Sequence, residues 1–244
     1  MDRTTASDPV RRLIVLDGRT VEYRFVRRRR RTLGISVDGN GMSVAAPMRA
    51  PWRDIESFLR DKERWILGKL ADWARAPRPR VLRGATGESL PLFGRPLLLE
   101  VRESPGRAVR QHYDRLVVSA PEPRRALDAL VGWLKSKALE SLLPRMDFFA
   151  SQLGVRAPVL ALSSGRSQWG ACTEGGTIRL NWRLVHLEPA LADYVVAHEV
   201  AHLMEMNHSK RVWRLVSSLY PGWREARERL ELAGAGLPVI RGTR

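Results

Sequence analysis

Three histidines and a glutamate lie within eleven positions of the stretch VVAHEVAHLMEMNHS, 195–209. The whole sequence of 244 residues has only five histidines. His198, Glu199 and His202 form the pattern H-E-x-x-H. On a helix, residues four apart lie above one another on one face, so the two imidazoles can bind one metal ion. Glu199 would project beside that ion, where it suits a general base acting on a metal-activated water.

The third histidine, His208, follows His202 by six residues. A continuous helix would carry it roughly 240° around the axis and about 9 Å along it, away from the metal. If His208 is a ligand, the helix must end near Met206 and the chain must turn back. Asn207 is suited to the left-handed conformation of such a turn, and Ser209 to capping the next helix. Chance would produce this four-residue pattern in roughly one shuffled chain in 8,000, so we interpret it as a metal site.

Zinc is the metal that three nitrogen ligands and one open position favour, with about one ion per chain. Mn²⁺, Ni²⁺ and Co²⁺ remain alternatives, because such ligands do not by themselves select one metal. The ion would lower the pKa of bound water toward about 7. Glu199 would take the released proton and pass it to a leaving nitrogen.

The preceding segment TIRLNWRLV, 177–185, alternates apolar and polar residues, which predicts a strand. One face of this strand would carry Arg179, Asn181 and Arg183. We expect at least one of the two arginines to border the metal cleft and Asn181 to be a candidate for orienting a ligand histidine. Tyr220 is a further weak candidate for contact with the substrate.

The helices and strands predicted from the hydrophobic periodicity, which must position these residues, indicate an α+β protein. Its amino-terminal part is rich in strands, and its carboxyl-terminal part carries a small sheet and the H-E-x-x-H helix. Within the first part, the periodicity of residues 50–76 predicts one helix. In the second, Pro144 should interrupt a helical block, and the active helix should run from about Pro189 to Met206. The predicted regions are a disordered lead (1–12), a β-rich region (13–120), a catalytic domain (121–236) and a tail (237–244).

Composition indicates a soluble globular protein, with 44% apolar and 28% charged residues. No apolar run is long enough to span a membrane, and the first twelve residues lack the apolar core of a secretory signal. The single cysteine, Cys172, excludes an internal disulfide and fits a reducing compartment. We therefore expect a cytoplasmic protein without a membrane partner.

The formal net charge is +16, and arginine dominates it. Five of the 42 basic residues are lysines, which leaves 37 arginines. Most of them are dispersed, which favours a solvated positive surface, although a basic face could also attract nucleotides or nucleic acid. The one continuous run, Arg27–Arg31, is the part of the sequence most suited to binding phosphates.

Two segments together resemble the bacterial YgjP-like, or DUF45, zinc metallopeptidases, which are grouped with the M48 peptidases. These segments are SQWGACTEGGTIRLNWRLV, 167–185, and YVVAHEVAHLMEMNHSKRVW, 194–213. The resemblance extends upstream through RRRRRTLGISVDGNGMSVAAP and GESLPLFGRPLLLEV, and it covers roughly residues 13–232. It implies a zincin-like catalytic domain, metal ligands at His198, His202 and His208, and a catalytic glutamate at Glu199.

The function that fits these observations best is a zinc-dependent hydrolase, most specifically a metallopeptidase acting on peptide or protein substrates. One alternative is a metal-dependent nucleotide phosphohydrolase of pyrophosphatase type, since the same site can activate water and arginines can clamp phosphates. Another is a basic, nucleic-acid-associated protease of WLM type, whose histidine spacing is the same. A non-catalytic protein with structural zinc is less favoured, because structural zinc usually has four protein ligands and Glu199 would lack a purpose.

Overall fold

The computed structural model describes residues 9–76, 78–165 and 168–240. The chain divides into two compact units, Met1–Ala76 and Pro77–Arg244. The division falls in the proline-containing segment APRPR, 76–80, where few contacts cross. Among the described residues, no helix combines the length and apolar character needed to cross a bilayer.

The first unit is a four-stranded sheet followed by two helices. Its elements are β1 (Val10–Leu16), β2 (Arg19–Arg28), β3 (Gly34–Asp38), β4 (Gly41–Pro47), α1 (Trp52–Asp61) and α2 (Glu63–Arg75). The strand order is β1-β2-β4-β3, and only the central β2–β4 pair is parallel. Alternate strand residues pack on Ile55, Leu59 and Ile66 of the helices, which forms a core belonging to this unit alone.

The helix prediction for this unit is wrong, and strand β1 begins inside the predicted lead. The helix predicted over residues 50–76 is broken at Lys62, where φ is −102° and ψ is 8°. The Lys62 N–H bonds to the Leu59 carbonyl at 3.2 Å, three residues back, and neither proline nor glycine marks the position. The predicted lead of residues 1–12 overlaps β1, which begins at Val10, and its first eight residues lie outside the described part of the chain.

The second unit contains a four-stranded sheet, a three-stranded sheet and four helices. Its elements are β5 (Val81–Leu82), β6 (Ser89–Leu92), β7 (Arg95–Glu103), β8 (Ala108–His112), β9 (Arg115–Ala120), α3 (Pro123–Gln152), β10 (Val159–Ser163), β11 (Gly170–Cys172), β12 (Thr177–Asn181), a 3-10 helix (Trp182–His186), α4 (Pro189–Ala201), α5 (Lys210–Leu219), α6 (Trp223–Ala235) and β13 (Val239–Ile240). The larger sheet has the order β6-β7-β9-β8 and the smaller one β10-β12-β11. Both sheets pack into one core with α3 and α4.

The boundaries inside this unit differ from the sequence prediction. Strands β5 to β9 fall within predicted region 13–120, yet their buried leucines share a core with α3 and α4. Strand β13 lies within the predicted tail 237–244 and pairs in parallel with β5, while residues 241–244 lie outside the described chain. Chain-distant pairing of this kind carries no local signal, which is why the sequence pattern missed both features.

Helix α3 is continuous through Pro144, contrary to the predicted interruption. Proline removes one helical hydrogen bond, but buried Leu142 and Met146 on either side anchor the helix in the core. The Arg145 side chain also donates to the Ser141 carbonyl at 2.6 Å, within the turn that precedes the proline. Tertiary packing therefore outweighs the local preference of Pro144.

The 3-10 helix connects β12 of the smaller sheet to α4, and it forms hydrogen bonds with the larger sheet and the turn that follows β6. His186 is 1% exposed, and its Nδ1 lies 2.7 Å from the Pro91 carbonyl oxygen, to which it donates. The Phe93 N–H donates to the Val185 carbonyl at 2.7 Å. The His186 Nε2 has no hydrogen-bond partner among the described residues, so adding a proton there would bury an unpaired charge.

We predict that His186 makes stability depend on pH. Burial, assisted by the nearby charge of Arg183, outweighs the opposing Pro91 hydrogen bond and lowers the pKa of His186 from 6.5 to about 4. The unfolded chain therefore binds a proton first, and stability is lost as pH falls from about 6.5 toward 4. Between about pH 8 and about pH 5, this histidine should account for a loss of roughly 2 kcal/mol in the free energy of unfolding.

Urea unfolding of the wild type and His186→Asn at several pH values tests this effect. Asparagine keeps a donor near the Nδ1 position but does not titrate. The difference in unfolding free energy between the two proteins should shrink as pH falls. A difference that stays constant with pH would contradict the assignment.

Candidate metal centre

Helix α4 carries the first two residues of the H-E-x-x-H pattern in its last turn. It begins at Pro189, as predicted, and it is buried on most sides, with Val196, Ala197 and Val200 fully enclosed. Such a helix is held by core packing and not by an amphipathic stripe alone. The metal-binding pattern is therefore built on a rigid element, which fixes the directions of its side chains.

The helix ends earlier than predicted, at Ala201 and not near Met206. His202 caps it, and the following N–H groups of Leu203 and Met204 bond three residues back, at 3.0 and 3.1 Å. These shorter-range bonds tighten the last turn and start the reversal of the chain. The turn that the pattern requires is present, but it begins at the second histidine.

Asn207 does not adopt the left-handed conformation predicted for it, since the described non-glycine residues with positive φ are Asp17, Phe93 and Tyr113. Instead its side chain forms the turn. Asn207 Oδ1 accepts from the Ser209 N–H at 2.9 Å, and its Nδ2 donates to the Glu205 carboxylate. Ser209 Oγ then accepts from the Arg211 N–H at 3.2 Å, which confirms the predicted cap of α5.

The turn brings the three imidazoles together at one point. His198 Nε2 lies 3.2 Å from His202 Nε2 and 3.3 Å from His208 Nε2. One ring nitrogen of each histidine lies within 4.8 Å of the others. His202 is buried, His198 is partly buried and His208 is exposed, so the site opens toward solvent on one side.

This arrangement fits a bound metal ion. Tetrahedral bonds of about 2.0–2.1 Å place two ligand nitrogens roughly 3.3 Å apart, which is close to both separations observed here. Neutral imidazole nitrogens pointing at one another repel unless a proton or a cation lies between their lone pairs. Burial, followed by the neighbouring His202 and His208, lowers the pKa of His198 to about 4, which favours the neutral form that metals bind.

Contacts behind the histidines hold their rings in place. His202 Nδ1 donates to the Glu205 carbonyl at 2.9 Å, which leaves Nε2 for the metal. The ring of Trp213 lies 5.3 Å from that of His198 and 6.0 Å from that of His208, between centroids. Trp213 is itself stacked on Trp223 at 4.4 Å, so α5 and α6 together support both rings.

Glu199 lies beside the histidines and not among them. It is only 6% exposed, and burial raises its pKa to about 7. Its side chain occupies the space beside Gly170 of β11, where an added Cβ would lie 2.6 Å from Glu199 Oε1. Any larger residue at position 170 would have to displace this carboxylate. The position of the Glu199 side chain therefore requires a glycine at position 170.

His198, alone of the three histidines, lines a cavity of about 220 Å³ together with Glu199. Its lining combines apolar walls with one arginine and two glutamates: Trp169, Gly170, Tyr194, Val195, His198, Glu199, Arg227, Leu230 and Glu231. A second cavity of about 380 Å³ shares Trp169 and Glu231 with it. The candidate metal centre therefore adjoins space for a ligand of several residues.

The weaker predictions fare differently. Neither Arg179 nor Arg183 lines the cavity at the histidines; Arg227 of α6 is the arginine found there. The predicted strand stops at Asn181, so Arg183 belongs to the 3-10 helix and lines the second cavity. Arg179, which stays on β12, is exposed. The alternation of residues along a predicted strand could not reveal that the strand ends at Asn181 and is followed by a 3-10 helix.

The contacts of Asn181 differ from the predicted role, whereas the substrate contact predicted for Tyr220 stays a prediction. Asn181 Nδ2 donates to the carbonyls of Gly165 and Gln168, and its Oδ1 accepts from the Arg183 N–H. It thus anchors the loop before β11 and does not orient a histidine. Tyr220 contacts Tyr194, with ring centroids 6.1 Å apart, and Tyr194 in turn lies 6.2 Å from His198.

Sequence reasoning missed Arg227, Trp213 and Gly170. Gly170 offered a signal, because a glycine within a strand often marks a close approach of another group. Arg227 and Glu231 are four residues apart and form an ion pair at 3.9 Å, but such spacing does not reveal which face of α6 meets the metal.

Comparisons with known proteins identify the family of the chain. The family model for the YgjP-like metallopeptidase domain matches residues 31–233. The crystal structure of the metallopeptidase zymogen abylysin from Pyrococcus abyssi is similar over 36% of this chain and 90% of that chain, with 26% sequence identity and a TM-score of 0.34. No curated protein shows significant similarity to the chain. Because the family match covers well over half of the sequence, the chain belongs to the YgjP-like metallopeptidase family and is a metal-dependent hydrolase.

Proposed function

We propose that the chain is a zinc-dependent peptidase with a zincin-like catalytic domain, in which His198, His202 and His208 hold the metal and Glu199 is the general base. The observation that carries the proposal is the convergence of three Nε2 atoms beside one buried carboxylate. The family match supports peptide or protein substrates, and it gives no support for a nucleic-acid partner. Cytoplasmic localisation remains part of this proposal.

The choice of zinc rests on the ligand set. Three nitrogen ligands with an open fourth position are typical of catalytic zinc, whereas structural zinc is enclosed by four protein ligands. When bound, zinc polarises a substrate carbonyl and lowers the pKa of water. The exposure of His208 and the adjoining cavity leave access for both substrate and water.

Glu199 is placed to move the proton. Its carboxylate lines the cavity next to His198, where it can accept a proton from the attacking water. It then delivers that proton to the nitrogen of the leaving amine. Enclosure by Trp169, Gly170 and Val195 limits the motion of the side chain, so the proton is taken and returned at a fixed place.

Strand β11 is suited to align a polypeptide substrate. In the order β10-β12-β11 it is an edge strand, and its first residue, Gly170, lies against Glu199. An extended peptide can add to such an edge through main-chain hydrogen bonds, with no requirement on its sequence. The scissile bond would then lie beside the catalytic carboxylate.

The phosphohydrolase alternative is less well supported by the cavity. Charge on a transferred phosphoryl group requires several cations, typically arginines or metal ions. Arg227 is the arginine that lines the cavity at the histidines, and it is paired with Glu231. The mixed charge and apolar walls of the site fit a peptide better than a triphosphate.

Removal of His208 should weaken zinc binding by about 100-fold or more, because two histidines alone leave the ion mostly hydrated. Competition with a chelator gives the affinity, and the exposed His112→Ala is the matched control. An unchanged affinity of His208→Ala would remove this residue from the ligand set. A carboxylate of α6, Glu225 or Glu228, would then be the next ligand to test.

The substitution Glu199→Gln should preserve zinc content and lower turnover by about 100-fold or more, since the amide keeps the shape but accepts no proton. Elemental analysis and steady-state cleavage of an unfolded protein measure the two effects. Turnover within about twofold of the wild type would contradict the role of general base.

The substrate class can be tested with the same preparations. Zinc-loaded protein should cleave unfolded polypeptides and leave nucleoside triphosphates intact, and Glu199→Gln should abolish the cleavage. Release of phosphate or pyrophosphate that Glu199→Gln also abolishes would support the phosphohydrolase instead.

A further inference from the structure

The outer face of the four-stranded sheet in the second unit carries a groove of about 560 Å³ that has no role in the proposed reaction. The opposite face of this sheet is covered, because Leu99, Leu116 and Val118 pack into the core with α3. Alternate residues of β7, β9 and β8 therefore point outward into the groove. We name it the arginine groove after four of its lining residues: Arg102, Arg107, Arg110 and Arg115.

Strand register places these cations in successive rows across the sheet. Arg115 of β9 is paired with His112 of β8, and the next outward pair along the strands is Val117 with Arg110. In the row beyond, Arg102 of β7 is paired with Ser119 of β9. Outward rows are spaced about 7 Å apart, so the groove presents positive charge at a regular interval along the strands.

The groove contains one acidic residue among its described lining residues, Glu100. Arg102 holds its carboxylate at 2.6 Å, and Arg115 lies 3.9 Å away on the other side. The groove has four arginines and one glutamate, whereas the whole chain has 42 basic and 26 acidic residues. The ratio of basic to acidic residues is therefore much higher in the groove. Such clustering of like charge lowers stability unless an anion is bound.

Two of the arginines have no partner among the residues that the structure describes. Arg107 and Arg110 form no side-chain hydrogen bond or ion pair with the described residues. Val117 is the register partner of both Arg110 and Glu100, so the backbones at positions 110 and 100 lie about 10 Å apart on either side of β9. The guanidinium groups of Arg107 and Arg110 are therefore available to oxygens of a ligand. The contact between Arg102 and the Glu100 carboxylate is an example of the interaction that such a ligand would make.

We propose that the arginine groove is a docking surface for an acidic segment of the polypeptide substrate, separate from the metal centre. Alternate side chains of an extended peptide are about 7 Å apart, which matches the spacing of the rows. No phenylalanine, tyrosine or tryptophan lines the described groove, and its one ring is the exposed imidazole of His112, whereas surfaces for single-stranded nucleic acid combine cations with several aromatic rings on which bases stack. The substrate role rests on the proposed peptidase function, but docking itself does not require catalysis.

The test is equilibrium binding of a fluorescent oligo-glutamate peptide, with oligo-glutamine and a single-stranded oligodeoxynucleotide as comparison probes. In Arg107→Gln/Arg110→Gln, affinity for oligo-glutamate should fall by about tenfold or more. The control Arg125→Gln/Arg156→Gln removes the same charge from exposed positions elsewhere in the second unit and should lose less than about twofold. Thermal unfolding checks that both double variants remain folded.

The outcomes separate docking from catalysis. His208→Ala, which lacks a proposed metal ligand, should bind oligo-glutamate as the wild type does, so a failed peptidase assay leaves the docking result intact. Equal weakening in the two double variants would overturn the proposal in favour of general charge attraction. Tighter binding of the oligodeoxynucleotide that the groove variant alone abolishes would overturn it in favour of a nucleic-acid surface. Absence of oligo-glutamate binding to the wild type would also overturn it.

Discussion

The close approach of three imidazole nitrogens is the constraint on which the rest of the second unit depends. The Nε2 atom of His198 lies 3.2 Å from that of His202 and 3.3 Å from that of His208. The lone pairs of these nitrogens repel one another unless a cation lies between them. Maintaining this arrangement requires a rigid helix, an abrupt turn and a fixed start to the next helix. The buried α4, the Asn207 side-chain turn and the Ser209 cap provide these three elements.

The proposed catalytic role of Glu199 depends on the position of its buried carboxylate next to the histidines. Glu199 fits against β11 because Gly170 has no side chain, so the sheet and the active helix can approach closely. The same enclosure removes the carboxylate from water and raises its pKa to about 7. Burying a carboxylate costs free energy, and this one is buried beside the proposed metal site. A destabilising group in such a place is typical of a position selected for chemistry over stability.

The sequence predicted the local features of this site well, because the residues of the metal-binding pattern lie within eleven positions of one another. Spacing alone predicted the helix, the reversal before His208 and the cap at Ser209. The positions of Arg227 and Trp213 could not be predicted, since they depend on how α5 and α6 pack against α4. The continuous helix through Pro144 could not be predicted either, because tertiary packing overrides the local preference of proline, and the break at Lys62 has no signal in the local sequence. The pairing of β5 with β13 joins residues far apart in the chain, which periodicity cannot detect.

The central claim, that three histidines bind one catalytic zinc ion while Glu199 stays outside its ligand set, is tested most directly by an anomalous difference map from crystals of zinc-loaded protein. The account predicts one peak at about 2.0–2.1 Å from Nε2 of His198, His202 and His208. The Glu199 carboxylate should lie next to the ion without binding it. A peak coordinated by Glu199, a ligand set that omits His208, or zinc bound elsewhere would contradict it.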